Sequence, residues 1–295
     1  MSIKNIYALG FFDGVHLGHQ ALLTACVKLA NETDSRPCAL TFDIHPRHLV
    51  QNNAPPLINT PADRRCLLER FGMAGVHTLQ FDQQIRQMPW QDFFHYLTHD
   101  LHAAGLVCGE DFRFGYKGEG TAQLLKQACE EYGIPCIVVT KQLKEGVRIS
   151  STYIRQLLAD GHMAQALEFL GHPHILSGTV ISGRKLGRTI GIPTANIRVP
   201  EGVILPPKGV YACLVQVDEK KYPAVTNIGS RPTVGGHKIT VEPWLLDFDG
   251  DLYGKHICVE FHKFLRPEEK FESLEALRQE ILKNAEQTRI FFEKK

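Results

Sequence analysis

The chain has 295 residues, 43% of them hydrophobic, with 33 Lys and Arg against 32 Asp and Glu. At about 100–200 residues per domain, that length predicts two domains, each large enough for a core of its own. Residues 1–172 carry 15 basic and 17 acidic side chains, leaving 18 and 15 for the remainder, so neither part has the basic footprint of a nucleic-acid binder.

No apolar run approaches the roughly 18 residues that a membrane span needs. Residues 6–12 follow a single Lys and run straight into Asp13, unlike a signal peptide. The eight cysteines are scattered with no Cys-x-x-Cys pair, which fits neither a disulfide scaffold nor a zinc site but does fit a reducing cytosol. A two-domain cytoplasmic protein is expected, with small-molecule substrates and neither nucleic-acid nor membrane partners. A monomer and a homo-oligomer are both compatible with the sequence.

The first 140 residues alternate in period. Short β-rich runs at 6–11, 38–42, 76–81, 106–108 and 134–139 are separated by helical spacing at 17–30, 62–71, 90–103 and 121–132. This order predicts a doubly wound parallel sheet with helices on both faces, an α/β domain whose chemistry belongs in the turns after the strands. Helical pieces follow at 152–159 and 164–170. From residue 176 the pattern changes to short β runs at 176–182, 210–217, 224–228, 239–246 and 256–264, broken by Gly and Pro. These predict a small antiparallel β-barrel, closed by a helix at 274–292. The domain boundary is expected near 172–175, giving domains 1–172 and 173–295.

The first strand ends in Phe12-Asp13-Gly14-Val15-His16-Leu17-Gly18-His19, where a helix pattern begins. His16 and His19 share one face of that first turn. Its free N–H groups and positive dipole end suit a phosphate, and Gly14 and Gly18 let a nucleotide approach the backbone. Two imidazoles there suit charge building on a phosphoryl group and its leaving pyrophosphate, chemistry that is mostly positioning. Set against this reading are a metal pair and ordinary core histidines. There is no Gly-Lys-Ser/Thr and no Gly-x-Gly-x-x-Gly, so neither a P-loop nor a dinucleotide fingerprint is present.

Three later segments also leave strands: Thr41-Phe42-Asp43-Ile44-His45-Pro46, Gly109-Glu110-Asp111-Phe112-Arg113-Phe114-Gly115, and Arg148-Ile149-Ser150-Ser151-Thr152-Tyr153-Ile154-Arg155. Hydroxyls at a helix N-terminus serve as caps or as phosphate donors, and Ser150, Ser151 and Thr152 alone leave both open. In the second half, Ser182–Asn196 is a Gly- and base-rich loop ending in Pro193-Thr194-Ala195-Asn196. It reads either as a basic hairpin loop or as a phosphate cradle whose Thr and Asn are hard-oxygen ligands for Mg²⁺.

Together these motifs resemble the prokaryotic bifunctional riboflavin kinase/FMN adenylyltransferase family, the FAD synthetases, over about residues 5–292. The resemblance implies flavin cofactor synthesis with ATP as co-substrate and Mg²⁺ as cofactor: riboflavin is phosphorylated to FMN, then AMP is transferred from ATP to FMN. It makes His16 and His19 the catalytic ATP-phosphate contacts, with Phe12, Asp13, Gly14, Gly18 and Asp111 around the nucleotide. Arg148, Ser150, Ser151, Thr152 and Arg155 become a second triphosphate clamp. In the second domain it implies ATP binding by Gly183, Lys185, Gly191, Thr194 and Asn196, with Thr194 and Asn196 on Mg²⁺. Glu242 becomes the base for the ribityl 5′-hydroxyl, and Arg266 helps close over the flavin.

Three departures from the family pattern stand out. Ile44 replaces a usual Pro, which could reshape the loop carrying His45. Pro243-Trp244 follows Glu242, so that strand is expected at an edge or bulged. Asn284 replaces a usual Asp. Two rivals remain: an enzyme with one working half, and a flavin carrier without turnover, which separate assays of FMN and FAD formation distinguish.

Overall fold

The computed structural model describes residues 4–46, 55–182, 187, 191–233 and 236–294. By contact the chain falls into two units. One comprises Met1–Pro56 and Arg64–Tyr153, the other Leu57–Asp63 and Ile154–Lys295.

The first unit is built on five parallel strands: β1 (Asn5–Leu9), β2 (Arg36–Phe42), β3 (Gly75–Leu79), β4 (Ala103–Gly109) and β5 (Cys136–Val139), in the order β3-β2-β1-β4-β5. β1 and β4 are apolar runs almost wholly buried, as a sheet covered on both faces requires. One face packs Tyr7, Leu9, Leu40 and Leu106 with Phe93, Leu97 and Leu125. The order reverses at β1, whose neighbours are β2 and β4. That switch point places a crevice outside the carboxyl ends of β1 and β4, where the turns carrying His16 and Asp111 begin.

Helix α1 (Leu17–Glu32) follows β1 and α2 (Pro61–Arg70) precedes β3. Helix α3 (Ala122–Tyr132) is capped by Thr121, whose hydroxyl accepts from Leu124 N at 3.1 Å, and stops at Gly133 in the left-handed region. The helix expected over 90–103 is shorter than the pattern suggests. An α-helix runs over Trp90–His95, Tyr96–Asp100 form a π-helical turn, His102 takes a positive φ, and Ala103 already opens β4. Ala103, Ala104 and Gly105 have little strand propensity, so they read as the end of a helix although sheet pairing claims them.

The second unit is a closed barrel of β6 (His174–Ile181), β7 (Asn196–Ile197), β8 (Gly209–Val217), β9 (Lys220–Thr233), β10 (Gly236–Leu245) and β11 (His256–Arg266), in the order β6-β7-β10-β9-β8-β11. All its pairings are antiparallel. The final helix runs over Leu274–Glu293, with Ser273 as its cap. The strand after Glu242 is neither at an edge nor bulged: β10 pairs with β9 in unbroken register through Thr226↔Pro243 and with β7 on its other side. The Pro243 carbonyl accepts from Ala195 N at 2.8 Å. A strand residue's N and carbonyl point the same way, so the missing proline donor falls on the side of the two-residue β7, where little ladder is lost.

The barrel opens at His174, but by contact residues 154–170 and Leu57–Asp63 group with it. Leu57 N donates to Gly202 O at 2.7 Å and Ile204 N to Leu57 O at 2.8 Å. Asn59 Nδ2 donates to Ile175 O at 3.3 Å, and Ser177 N to Asp63 Oδ2 at 3.4 Å. This segment has no periodic apolar pattern, so its allegiance is invisible in the sequence.

His174 is fully buried against Phe261, and burial, with the neighbouring His172, pushes its pKa from 6.5 down to about 3. The folded barrel refuses a proton that the unfolded chain accepts below about 6.5. Stability is therefore expected to fall as the pH drops from 6.5 toward 3, by about 1 kcal/mol per pH unit. Urea unfolding followed by Trp244 fluorescence in a Trp90→Phe background checks this, and His174→Leu should flatten the slope.

Candidate active sites

In the first unit the turn after β1 is strained. Phe12 (φ 58°), Gly14 (φ 83°) and Val15 (φ 37°) all lie in the positive-φ region, a conformation kept where the surroundings enforce it. His16 is the N-cap of α1, and its Nδ1 accepts from His19 N at 3.2 Å. That bond fixes the imidazole, leaving Nε2 as its other polar edge. The His16 and His19 rings stack with centroids 3.7 Å apart and planes 8° apart, and Phe12 meets the His19 ring edge-on at 5.3 Å. Burial, then the His16 ring and the Arg64 charge, hold His19 well below the ordinary histidine pKa, so it is neutral at pH 7.

The Ser-Ser-Thr segment comes to the same place. Ser151 Oγ donates to Asp13 O at 2.8 Å across 138 residues of sequence, and Ser150 Oγ caps helix α4 (Ser151–Ala159) by accepting from Tyr153 N at 3.3 Å. Ser150 therefore does cap, while Ser151 ties the helix N-terminus to the histidine turn. Thr152 sits in the first turn of α4, and Arg155 one turn further along the same helix. Asp111 and Arg148 form an ion pair, both half-exposed. Two residues expected on the nucleotide thus neutralise one another.

Ile44 has a structural consequence. Its N–H donates to Asp43 Oδ1 at 2.8 Å, a bond proline cannot make, and Phe81 N donates to the same oxygen at 2.8 Å. His45 packs edge-on against Phe11 at 4.7 Å. The loop is held by this pair of bonds in place of a proline ring.

Gly18 touches the histidine pair directly: a Cβ there would sit 3.2 Å from the His16 ring. Gly18→Ala is expected to tilt that ring and, on the expectation that this turn contacts the ATP phosphates, to slow adenylyl transfer about tenfold, a misplacement effect, with riboflavin phosphorylation unchanged. Parallel assays of the two reactions check it.

In the second unit a cavity of about 300 Å³ is lined by Thr194, Asn227, Glu242, Trp244, Arg266 and Phe271, among others. Glu242 and Trp244 alternate along β10 and so share the face that looks into it. Glu242 lies opposite Asn227 on β9. Arg266 Nε donates to Asn284 Oδ1 at 3.0 Å, lies 3.6 Å from Glu280 Oε1, and stacks its guanidinium over Phe271 at 5.4 Å. Asn284 is 1% exposed and also donates to Glu280 at 3.3 Å, so it orients Arg266. Gly191 is described at φ 73°, whereas Gly183 and Lys185 lie outside the described residues. Thr194 and Asn196 offer hard oxygens, a donor set that fits Mg²⁺ beside phosphates. No group of three or more His, Cys, Asp or Glu that could hold a metal occurs among the described residues.

Sequence reasoning passed over Arg64 and gave Asn284 no role. Nothing in the local pattern of α2 distinguishes Arg64 from Arg65, which is exposed and paired with Glu69 at 3.0 Å.

A stacked histidine pair at the switch point of a parallel sheet, followed by a barrel whose cavity is lined by a carboxylate, is an arrangement suited to nucleotide-dependent group transfer. Family models match both parts: FAD synthetase over residues 2–153 and riboflavin kinase over residues 170–292. The chain is 35% identical to a bifunctional riboflavin kinase/FMN adenylyltransferase of Listeria monocytogenes, covering 99% of this chain and 94% of the relative. It is 39% identical to the protein of that name from Escherichia coli K12, covering 97% and 92%. A solved structure described as a macrolide-efflux protein from Streptococcus pneumoniae superposes with a TM-score of 0.85 at 32% identity, covering 98% and 95%. Among the described residues no helix is long and apolar enough to cross a membrane. The chain belongs to the bifunctional riboflavin kinase/FMN adenylyltransferase family.

Proposed function

We propose that the two activities divide between residues 1–172, which carry adenylyl transfer, and residues 173–295, which carry phosphorylation. The chain is a bifunctional enzyme of flavin cofactor synthesis: it phosphorylates riboflavin to FMN, then transfers AMP from ATP to FMN, giving FAD and pyrophosphate. The observation that carries the assignment is the convergence of the His16–His19 stack and the Ser151–Asp13 bond on one turn.

In the barrel, Glu242 takes the proton of the ribityl 5′-hydroxyl as its oxygen bonds to the γ-phosphorus of ATP, and ADP leaves. Trp244, Phe271 and the Arg266–Asn284 pair form the wall against which the flavin lies. Mg²⁺ would be held by Thr194 and Asn196 with the ATP phosphates, and when bound it neutralises charge on them. Gly183, Lys185 and Gly191 complete the ATP loop.

In the first unit an FMN phosphate oxygen attacks the α-phosphorus of ATP and pyrophosphate leaves. That nucleophile is already anionic, so no base is required. His16 and His19 donate hydrogen bonds to the charge developing on the α-phosphate and the leaving group. Phe12, Asp13, Gly14 and Gly18 shape the turn around it. Ser151, Thr152 and Arg155 clamp the outer phosphates, with Ser150 capping their helix, and Arg148 exchanges Asp111 for phosphate as ATP enters. Bacterial relatives and eight free thiols support a cytoplasmic setting.

The test is a chromatographic time course with riboflavin, ATP and Mg²⁺. FMN followed by FAD is expected. FMN alone would leave a flavokinase with an inactive first domain, and flavin binding without turnover would make the protein a carrier.

A further inference from the structure

One charged group near the histidine turn has no part in the reaction just described. Arg64, on α2, is 1% exposed and is the largest fully buried side chain among the described residues. Burying a guanidinium is costly, and an apolar residue of its size would usually serve stability better. Burial pushes its pKa down from 12.5 to about 10, opposed by the charges of Asp13 and Asp43. What it gains is a set of contacts with two turns at once. Its Nη2 donates to Phe42 O at 2.5 Å, at the end of β2, and its guanidinium lies 4.2 Å above the Phe11 ring, just beyond β1. The two carboxylates that compensate it, Asp13 and Asp43, belong to those same turns. Its Nη1 is buried without an acceptor, so the site is not arranged to satisfy the guanidinium as fully as it could be.

Those turns carry the chemistry. Thr41 Oγ1 donates to Phe11 O at 3.0 Å, and Asp13 O receives Ser151. Resting on the reading of the His16–His19 turn as the adenylyl-transfer site, we propose that Arg64 is a positioning residue for that reaction, strapping the ends of β1 and β2 together. The groups facing His19 are the His16 ring from the start of α1, the Phe12 edge, and the Arg64 charge from α2, with Asp13 and Asp43 acting on Arg64; burial and then the His16 ring outweigh the Arg64 charge in holding His19 neutral.

The consequences separate charge from shape. Arg64→Met removes both the strap and one of the influences, after burial and the His16 ring, that discourage protonation of His19. The full-length variant is expected to lose about 100-fold in kcat for FAD formation from FMN and ATP, with a smaller change in KM and riboflavin phosphorylation unaltered. The acid limb of its pH profile should also move to higher pH, because His19 becomes easier to protonate. Arg64→Lys keeps a charge but not the planar fork. A loss of about tenfold is expected, with the acid limb in place.

Kinase turnover and circular dichroism report folding in each case. Arg64→Met within threefold of wild type, or impaired without displacement of the acid limb, overturns the proposal; the second result would leave only a structural role. If Arg64→Met does not fold, Arg64→Lys at full turnover overturns it. His16→Ala run alongside separates this from the underlying reading. Should His16→Ala still make FAD, the adenylyl-transfer assignment itself fails; should only the Arg64 variants do so, the strap fails alone.

Discussion

Glu242→Gln is expected to slow conversion of riboflavin to FMN by about 10²–10⁴-fold, the usual contribution of a positioned general base. Glutamine keeps the side chain's length and its place on β10 opposite Asn227, so the barrel register and the Trp244 wall are unaffected. Only the proton acceptor is lost. Riboflavin should still bind, read as quenching of flavin fluorescence, and FAD should form at the wild-type rate when FMN is supplied with ATP. A variant within tenfold of wild type in FMN formation would remove Glu242 from the chemistry and turn attention to Glu268, which also lines the cavity.

His16→Ala should have the mirror effect: FMN accumulates and FAD formation falls about 10²–10³-fold, the cost of losing one donor to developing charge. The substitution also removes the α1 cap, worth about 1 kcal/mol, so reduced activity alone would be ambiguous. His16→Asn resolves this, because an asparagine oxygen can accept from His19 N and restore the cap without the ring. If adenylyl transfer returns in His16→Asn, the cap and not the imidazole matters. If it stays low while the melting temperature recovers, the imidazole carries the reaction.

Much of this site is legible because the chemistry sits in turns whose residues are adjacent in sequence. His16, Gly18 and His19 fall within one helical turn, and the Ser150–Thr152 cap begins another, so spacing alone puts each on a defined face. The pairing of Glu242 with Trp244 follows from strand alternation in the same way. What spacing does not convey is anything decided by burial or by distant partners. Arg64 and Arg65 are neighbours in one helix, yet one lies under the Phe11 ring and the other in solvent. The sequence attaches no functional meaning to Asn284, yet Arg266 donates to it across 18 residues. Ile44 and Pro243 read locally as departures that reshape a loop or bulge a strand, but two bonds to Asp43 hold the first loop and the short β7 beside Pro243 leaves the second strand in register. The helical spacing over 90–103 overruns its end because Ala103 and Ala104 favour helix by propensity, while sheet pairing decides their place in β4.

The grouping of Leu57–Asp63 with the barrel has a consequence for how the chain is made. A ribosome releases Asn59 116 residues before its partner Ile175, a delay of roughly 6–23 s at about 5–20 residues per second. The five-stranded sheet can be complete once Val139 has emerged, while this segment still waits with its backbone unpaired. Cutting the gene at codon 173 to obtain the kinase alone would remove the segment permanently. A separately expressed barrel should therefore aggregate or melt early, and should recover when residues 57–63 are supplied at its N-terminus through a flexible linker.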